Sequence, residues 1–356
     1  MGWTALHAKI HRTLRSRHLL DRRKRLLVAV SGGQDSLCLM KLLLDLQPKW
    51  QWDLGIIHCD HRWREDSQAN AYHVENLAKN WGVSFYLATA TQPVNTEAAA
   101  RDWRYQTFLA IAQAHNYQYI LTGHTASDRA ETLLYNLMRG TGADGLQALT
   151  WQRPLTEKIL LVRPLLEVTR KQTEQFCQEF NLPIWEDSTN QDLKYARNRI
   201  RQELIPYLQH NFNPQAELAI AQTAELLQAD VEYLEQAAKQ LREEVMGDWG
   251  LGTGDWGLGK EDEKSSLPLR LNRRVLQTAP LALQRRVMRQ ILQKILPDAP
   301  NFEHIEKLTA LITAPNRSQT DPFPGGAIAQ VQGEWIILGT GDTSASSVHR
   351  WGLGTS

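Results

Sequence analysis

The apolar run Leu26-Leu27-Val28-Ala29-Val30 leads without a spacer into Ser31-Gly32-Gly33-Gln34-Asp35-Ser36, and that into Leu37-Cys38-Leu39-Met40-Lys41-Leu42. A buried strand that turns through two glycines into a helix makes a cradle for an anion. Without Cβ atoms the backbone N–H groups can close on it, and the helix start adds its positive dipole end. The loop is not of the Walker type, G-x-x-x-x-G-K-S/T, because Asp35 stands where that motif has its lysine. A carboxylate beside a polyphosphate repels it unless a cation bridges the two. The expected bridge is Mg2+, held through Asp35 and phosphate oxygens with water completing its shell. Ser31 and Ser36 add hydroxyl donors, and Gly32, Gly33 and Gln34 complete the cradle. The structural alternative is a plain strand-to-helix turn, with Ser31 as N-cap and Asp35 complementing the dipole.

At 356 residues the chain exceeds the usual single domain of about 100–200 residues, so two domains are expected. No apolar run approaches the roughly 20 residues of a membrane span, and no signal-peptide apolar segment follows the basic stretch at 12–25, so a cytoplasmic protein is expected. Cys38, Cys59 and Cys177 form no C-x-x-C pair, which argues against a disulfide framework, a zinc ribbon or an iron–sulfur site. With a net charge of only +1, a polyanion has to be met by a local patch. Two stretches could supply one: Arg12, Arg15, Arg17, Arg22, Arg23, Lys24 and Arg25, and then Lys194, Arg197, Arg199 and Arg201 around Tyr195. A solvated helix face is the commoner fate of such runs, but beside a nucleotide loop a nucleic acid becomes competitive.

Strand signals at 26–30, 54–58, 83–88 and 119–122 alternate with helix-period stretches at 36–46, 67–81 and 96–115. The alternation predicts an α/β fold, a parallel sheet with helices on both faces and the ligand at the carboxyl ends of the strands, where the Gly loop sits. A strand at 159–162 and helices at 169–180 and 198–208 follow, and a boundary is placed near Asn213-Pro214. This gives a catalytic domain over 1–214, a mainly helical appendage over 215–340 and a flexible tail over 341–356. The appendage opens with a helix at 215–244, after which the heptapeptide at 247–253 recurs at 254–260, changed only from Thr253 to Lys260. So much Gly fits neither helix nor strand period, and a flexible Gly/Trp-rich loop over 247–266 is expected. Helices at 280–296 and 302–313, a turn at 321–326 and a hairpin at 327–338 complete the reading.

In this setting the Gly loop resembles the PP-loop ATP pyrophosphatase superfamily. The resemblance implies cleavage of ATP between its α and β phosphates and transfer of AMP to a carbonyl-type oxygen. Further segments extend it: His58-Cys59-Asp60-His61-Arg62-Trp63-Arg64; Asn95-Thr96-Glu97-Ala98-Ala99-Ala100-Arg101-Asp102-Trp103-Arg104-Tyr105; Leu121-Thr122-Gly123-His124-Thr125-Ala126-Ser127-Asp128-Arg129-Ala130-Glu131-Thr132; and Val162-Arg163-Pro164-Leu165 continuing to Trp185-Glu186-Asp187-Ser188-Thr189-Asn190. With Arg197-Asn198-x-Ile200-Arg201, these resemble the tRNA(Ile)-lysidine synthetase family. The resemblance implies ligation of L-lysine to C2 of the wobble cytidine in the CAU anticodon of tRNA(Ile), with ATP and Mg2+ as cofactors and a tRNA-binding appendage. A homodimer is compatible with it.

The chemistry asks for these residue types in its own right. A cytosine C2 carbonyl is a poor electrophile, so its oxygen must first become a leaving group, which adenylation achieves. The second step needs a neutral amine, whereas a free lysine side chain has a pKa of about 10.4. Asp128 and Glu131, at i and i+3 on one helix face, are candidates to bind the lysine and to orient or deprotonate the attacking nitrogen. Their structural alternative is a helix cap with Asp128 at N-cap and Glu131 at N3. His124 would line the nucleotide pocket, or be satisfied by backbone. Arg101 and Arg104 would hold phosphate or the activated carbonyl, or form exposed salt bridges. His61 and Arg64 follow the second strand, where adenosine or tRNA passes. The resemblance makes Glu186, Asp187, Arg197 and Arg201 a closing segment that shapes the site and meets the tRNA.

One departure stands out. The family usually reads H-x-x-D-D-Q-x-E-T in the fourth segment, and this chain has Ser127 and Arg129 in place of the first Asp and the Gln. A PP-loop tRNA thiolase would share the adenylation step but would need sulfur-bearing cysteines. A tRNA-binding protein with a decayed active site is the reading from another class, against which the intact Gly loop, Asp128 and Glu131 speak.

Overall fold

Successive side chains of the central strand are buried on opposite faces, and a strand buried on both faces needs a layer on each side. The computed structural model describes residues 2–62, 66–91, 96–185, 192–246 and 268–340. Strand β1 (Arg25–Ala29) sends Leu26 and Val28 into one core and Leu27 into another. Ile56 and Ile57 of β2 (Asp53–Asp60), and Leu121 and Ile120 of β4 (Tyr119–Thr122), divide in the same way. With β3 (Ser84–Thr89), β5 (Gln152–Pro154) and β6 (Leu160–Val162) the sheet order is β3-β2-β1-β4-β6-β5. Every pairing is parallel except that of the edge strand β5 with β6.

Helices α1 (Ala5–Ser16), α2 (Gln34–Trp50) and α3 (Ser67–Trp81) contribute Ile10, Leu14, Leu39, Leu43 and Val74 to the first core. On the other face α4 (Glu97–Ala114) brings Phe108 and Ala112 against Leu27, Ile57 and Leu161. Each of these large apolar side chains stabilises the fold by about 1.5–3 kcal/mol when fully buried. After β4 the chain forms α5 (Ala126–Met138) and the short α6 (Gly142–Leu146); after β6 it forms α7 (Arg170–Glu179), which packs on α2. The helix expected at 198–208 is α8 (Ala196–Arg199), a π-turn over Ile200–Leu204 and α9 (Ile205–Asn211).

Helices α1 and α2 also differ from expectation. Helix α2 continues through Pro48 to Trp50, because Trp50 is buried and stacks on Trp52 at 5.0 Å between centroids. The stretch before β1, which reads as a basic patch, begins with α1, whose Thr4–His7 capping box and buried Ile10 and Leu14 are interleaved with charge. Arg17 pairs with Glu167 and Glu225 at 2.9 and 2.7 Å, and Arg25 with Asp53 at 2.7 Å, so these two are structural cations.

The chain divides into two compact units, Met1–Ala229 and Asp230–Ser356. The division falls inside α10 (Ala216–Met246), beyond the turn at Asn213-Pro214, because the first part of that helix carries Glu225 to buried partners in the first unit. Glu225 accepts from Arg129 Nη1 at 2.5 Å and from Trp151 Nε1 at 2.7 Å, while the Arg129 Nε donates to the Leu149 carbonyl at 2.9 Å. In the second unit β7 (Leu269–Asn272) joins the expected hairpin, β8 (Ala327–Gln332) and β9 (Trp335–Thr340), in an antiparallel sheet of order β7-β9-β8. Helices α11 (Arg273–Thr278), α12 (Leu281–Ile295) and α13 (Phe302–Ala310) share a core with it through Leu276, Val287, Ile291 and Leu308. On α12, Arg285 pairs with Glu306, and Arg286 and Arg289 with Glu235. The Gly/Trp-rich loop and the tail lie outside the described residues.

Arg129 is 1% exposed, so removing its counter-ion strands a buried charge. Glu225→Ala is expected to lower the unfolding free energy by about 3–5 kcal/mol, read from the denaturant midpoint at constant slope. A loss below about 1 kcal/mol would mean that the pair adds no more than a surface bridge.

Candidate active site

The carboxyl ends of β1, β2 and β4 open into a cavity of about 510 Å³, lined among others by Ser31, Asp35, Ser36, His58, Asp60, His61, His124, Asp128, Glu131 and five arginines of the sequence reading and its surroundings, Arg62, Arg101, Arg104, Arg197 and Arg201, together with Arg170. Gly32 takes φ +88, and a Cβ there would meet Asn70 Oδ1 at 2.5 Å. The loop is braced by Asn70 Nδ2 donating to Ser31 O at 3.0 Å and Trp185 N to Gly32 O at 2.9 Å. Gly33, not Ser31, is the N-cap of α2, and it supplies no side chain to the first-turn N–H groups. The hydroxyls of Ser31 and Ser36 lie 3.3 Å apart, and Ser36 donates to Gly33 O at 2.9 Å. After β4 the chain passes so close to the start of α2 that a Cβ on Gly123 would stand 2.9 Å from the Asp35 carbonyl. Gln34 turns away from the cavity, its Nε2 donating to Arg170 O at 2.9 Å and to Thr173 Oγ1 at 3.1 Å.

Asp35 is held by residues that the sequence reading did not single out. Its Oδ2 accepts from Arg170 Nε and Nη2 at 3.0 and 2.8 Å, and its Oδ1 from Thr173 Oγ1 at 2.5 Å. The signal for them was an acid at the Walker lysine position, which demands a cation; that the cation would come from the start of α7 depends on the packing of α7 against α2. Mg2+ bound through phosphates needs one or two carboxylates. Arg170 Nη2 lies 2.8 Å from Asp35 Oδ2 and 3.9 Å from Asp128 Oδ1, and Asp35, beside the loop, is the carboxylate that fits a hard cation once the guanidinium withdraws.

Helix α5 begins with a capping box, but Thr125 is its N-cap and Asp128 its N3 residue, three positions ahead of the cap considered from sequence. Asp128 Oδ2 accepts from Thr125 N and Oγ1, both at 2.8 Å, whereas Oδ1 is met by Arg170 and Arg201 at 3.9 and 3.8 Å. Burial favours the protonated acid, but Arg170, His124 and the cap together hold the Asp128 carboxyl below its ordinary range. Glu131 is buried and takes both donors of the Arg201 fork at 2.6 and 2.8 Å. Burial raises its pKa, with Arg201 opposing. Arg201 stands in the π-turn, a device that re-aims a helical side chain.

Burial and the arginines of the cavity make both candidate imidazoles neutral. Burial, then Arg163, Arg104 and Arg101, push His124 down to about 4 against the pull of Asp128, and burial with Arg104 does the same to His61. His124 Nδ1 is hydrogen-bonded to Thr122 Oγ1 at 2.8 Å, and His61 meets Trp103 edge-on at 4.9 Å. Arg163, at the end of β6, is a buried cation that adds to this field. Arg64, Glu186 and Asp187 lie outside the described residues.

The PP-loop domain family matches residues 4–208, more than half of the chain, and the TilS substrate binding domain family matches 271–334. A tRNA(Ile)-lysidine synthase of a Nostoc species is 83% identical over 342 residues, covering 96% of this chain and 99% of that protein. The chain belongs to the tRNA(Ile)-lysidine synthase family. Proteins of the same name from a Synechocystis species and, as a chloroplastic form, from Zygnema circumcarinatum are 50% and 35% identical, over 94% and 87% of this chain and 98% and 81% of theirs. In fold alone the chain is similar to a solved structure, the U34-tRNA thiolase NcsA from Methanococcus maripaludis with its 4Fe–4S cluster, at a TM-score of 0.54, 15% identity and coverage of 62% of this chain and 77% of that one.

Within this lysidine synthase family member the departures at 127 and 129 fall on faces of α5 turned from the cavity. Buried Ser127 accepts from Arg170 N at 2.9 Å and so fixes the start of α7, while Arg129 reaches Glu225. Among the described residues no three His, Cys, Asp or Glu side chains gather as a metal-binding group, and burial pushes the Cys59 thiol, which lines the cavity, up to about 12.

Because His124 titrates near 4 when folded and near its ordinary 6.5 when unfolded, the unfolded chain takes up a proton in that window that the folded chain does not. Stability therefore falls as pH drops from about 6.5 to about 4. His124→Gln is expected to make this slope shallower, read from urea midpoints at stepped pH; an unchanged slope would show an ordinary imidazole.

Proposed function

We propose that the cavity adenylates C2 of the wobble cytidine of tRNA(Ile) bearing CAU and then directs L-lysine onto that carbon. The reading is carried by one juxtaposition: the phosphate loop at Ser31–Ser36 and the Asp128–Glu131 face of α5 border the same cavity, with Arg101 and Arg104 from α4 beside them.

In the first step the C2 oxygen attacks the α-phosphorus of ATP, the bond to the β-phosphate breaks and diphosphate leaves. Ser31, Ser36 and the open first turn of α2 hold the polyphosphate, and Arg101 and Arg104 offset negative charge at the transferring group. Asp35 would hold Mg2+, which would lower the charge of the diphosphate leaving group. His124, neutral at pH 7, offers the site an imidazole without adding to its positive field. In the second step an amine of lysine attacks C2, the C2–O bond breaks and AMP leaves. Asp128 Oδ1 is the carboxylate oxygen best placed to receive that amine, since its ion pairs to Arg170 and Arg201 are long and its partner oxygen is spent on the cap. Glu131 acts through Arg201, which it fixes with two charge-assisted hydrogen bonds. His61, Arg64 and Arg197 are assigned to the tRNA or adenosine side.

The test is incubation with ATP, Mg2+, labelled lysine and tRNA(Ile) bearing CAU. Lysine transfer to that tRNA is expected, and AMP release onto some other acceptor without it would overturn the reading. Asp35→Ala should abolish AMP formation, whereas Asp128→Ala should leave tRNA adenylation detectable and slow lysine transfer by about 10²-fold or more. Equal loss of both steps in Asp128→Ala would move Asp128 to the nucleotide half of the site.

A further inference from the structure

Arg170 is anchored twice, and the two anchors are separable. Its backbone is fixed by the N–H to Ser127 Oγ at 2.9 Å and by the carbonyl accepting from Gln34 Nε2 at 2.9 Å, both independent of the guanidinium. Its side chain spans two carboxylates on different elements, Asp35 on α2 and Asp128 on α5. At Asp35 both oxygens are engaged: two donors from Arg170 reach Oδ2, and the Thr173 hydroxyl reaches Oδ1. The Arg170 side chain is nonetheless 33% exposed and borders the cavity, so it has somewhere to go.

A divalent cation and an arginine cannot share these oxygens. A metal ion needs carboxylate lone pairs at a little over 2 Å, and those of Asp35 Oδ2 are spent on the two N–H donors of Arg170. We propose that Arg170 is the resident counter-ion of the Asp35–Asp128 pair, and that it and the divalent cation of the nucleotide exclude one another at Asp35. Without nucleotide the guanidinium keeps the two carboxylates neutralised and refuses free metal. Metal that arrives on ATP brings phosphate oxygens as further ligands, displaces the guanidinium and frees a cation within the cavity that already holds the polyphosphate. Arg170 is thus a positioning residue that makes metal loading depend on the nucleotide. The proposal rests on ATP occupying this cavity, as in the function proposed above.

Its test is Mn2+ binding to the full chain, followed by electron paramagnetic resonance of the free ion, with no tRNA or lysine present. In the absence of ATP, Arg170→Ala should bind Mn2+ at least about tenfold more tightly than the parent protein, the equivalent of releasing one charge-assisted hydrogen bond. Asp35→Asn combined with Arg170→Ala should lose the gain. With ATP present the difference should shrink, because the parent then displaces its own guanidinium. A purely structural arginine would not move metal affinity in this direction. Should Arg170→Ala fail to fold, Arg170→Gln removes the charge while keeping an amide donor and must show the same gain in smaller measure. Equal Mn2+ affinity in the parent and in a folded variant, or a gain that survives Asp35→Asn, overturns the proposal. Loss of lysine transfer in the tRNA assay leaves this readout intact, so the two failures are distinguishable.

Discussion

An aspartate in the first turn of α2 borders the cavity at the carboxyl ends of the strands, and its charge has to be balanced there. That requirement organises much of the first unit. The balancing cation comes from the first turn of α7, so α7 must start within reach of α2, and the contacts between the two helices, Gln34 to the Arg170 carbonyl and Thr173 to Asp35, are the fittings that hold it there. Ser127 completes the arrangement from α5. Gly123 belongs to the same economy of space, since any side chain at that position would push β4 off the start of α2.

Helix α5 carries three kinds of residue on three faces. At about 100° per residue, Asp128 and Glu131 point one way, and Ser127 and Arg129 fall to either side. The acid missing at 127 is therefore replaced by a hydroxyl that serves helix α7, and the cation gained at 129 is sunk among Leu149, Trp151 and Glu225. Neither change alters the face that the cavity presents.

Much of this was legible in the chain. The strand at 119–122 and the helix at 67–81 match expectation residue for residue, because each is bounded by strong local signals, and the Gly loop was readable from its neighbours alone. What escaped was set by contacts across long sequence separations. The role of Arg170 depends on Asp35, 135 positions earlier, and helix α1 hides its apolar stripe between charged positions, with Arg17 at its end meeting Glu167 and Glu225 far downstream. In the second unit the arginines of α12 are likewise paired over distance, Arg285 with Glu306 and both Arg286 and Arg289 with Glu235.

The π-turn over Ile200–Leu204 inserts one residue into what would otherwise be a single helix, and an insertion of that kind rotates everything after it by about 100°. Arg201 can therefore clasp Glu131 while Ile200 and Ile205 both pack on α5 beside Ala130. The polar and apolar faces on the two sides of the turn are phased independently. The number of residues between Arg197 and Pro206 thus matters as much as their identity: a chain shorter by one here would keep Arg201, Ile200 and Ile205 and still turn the helix out of phase with the cavity.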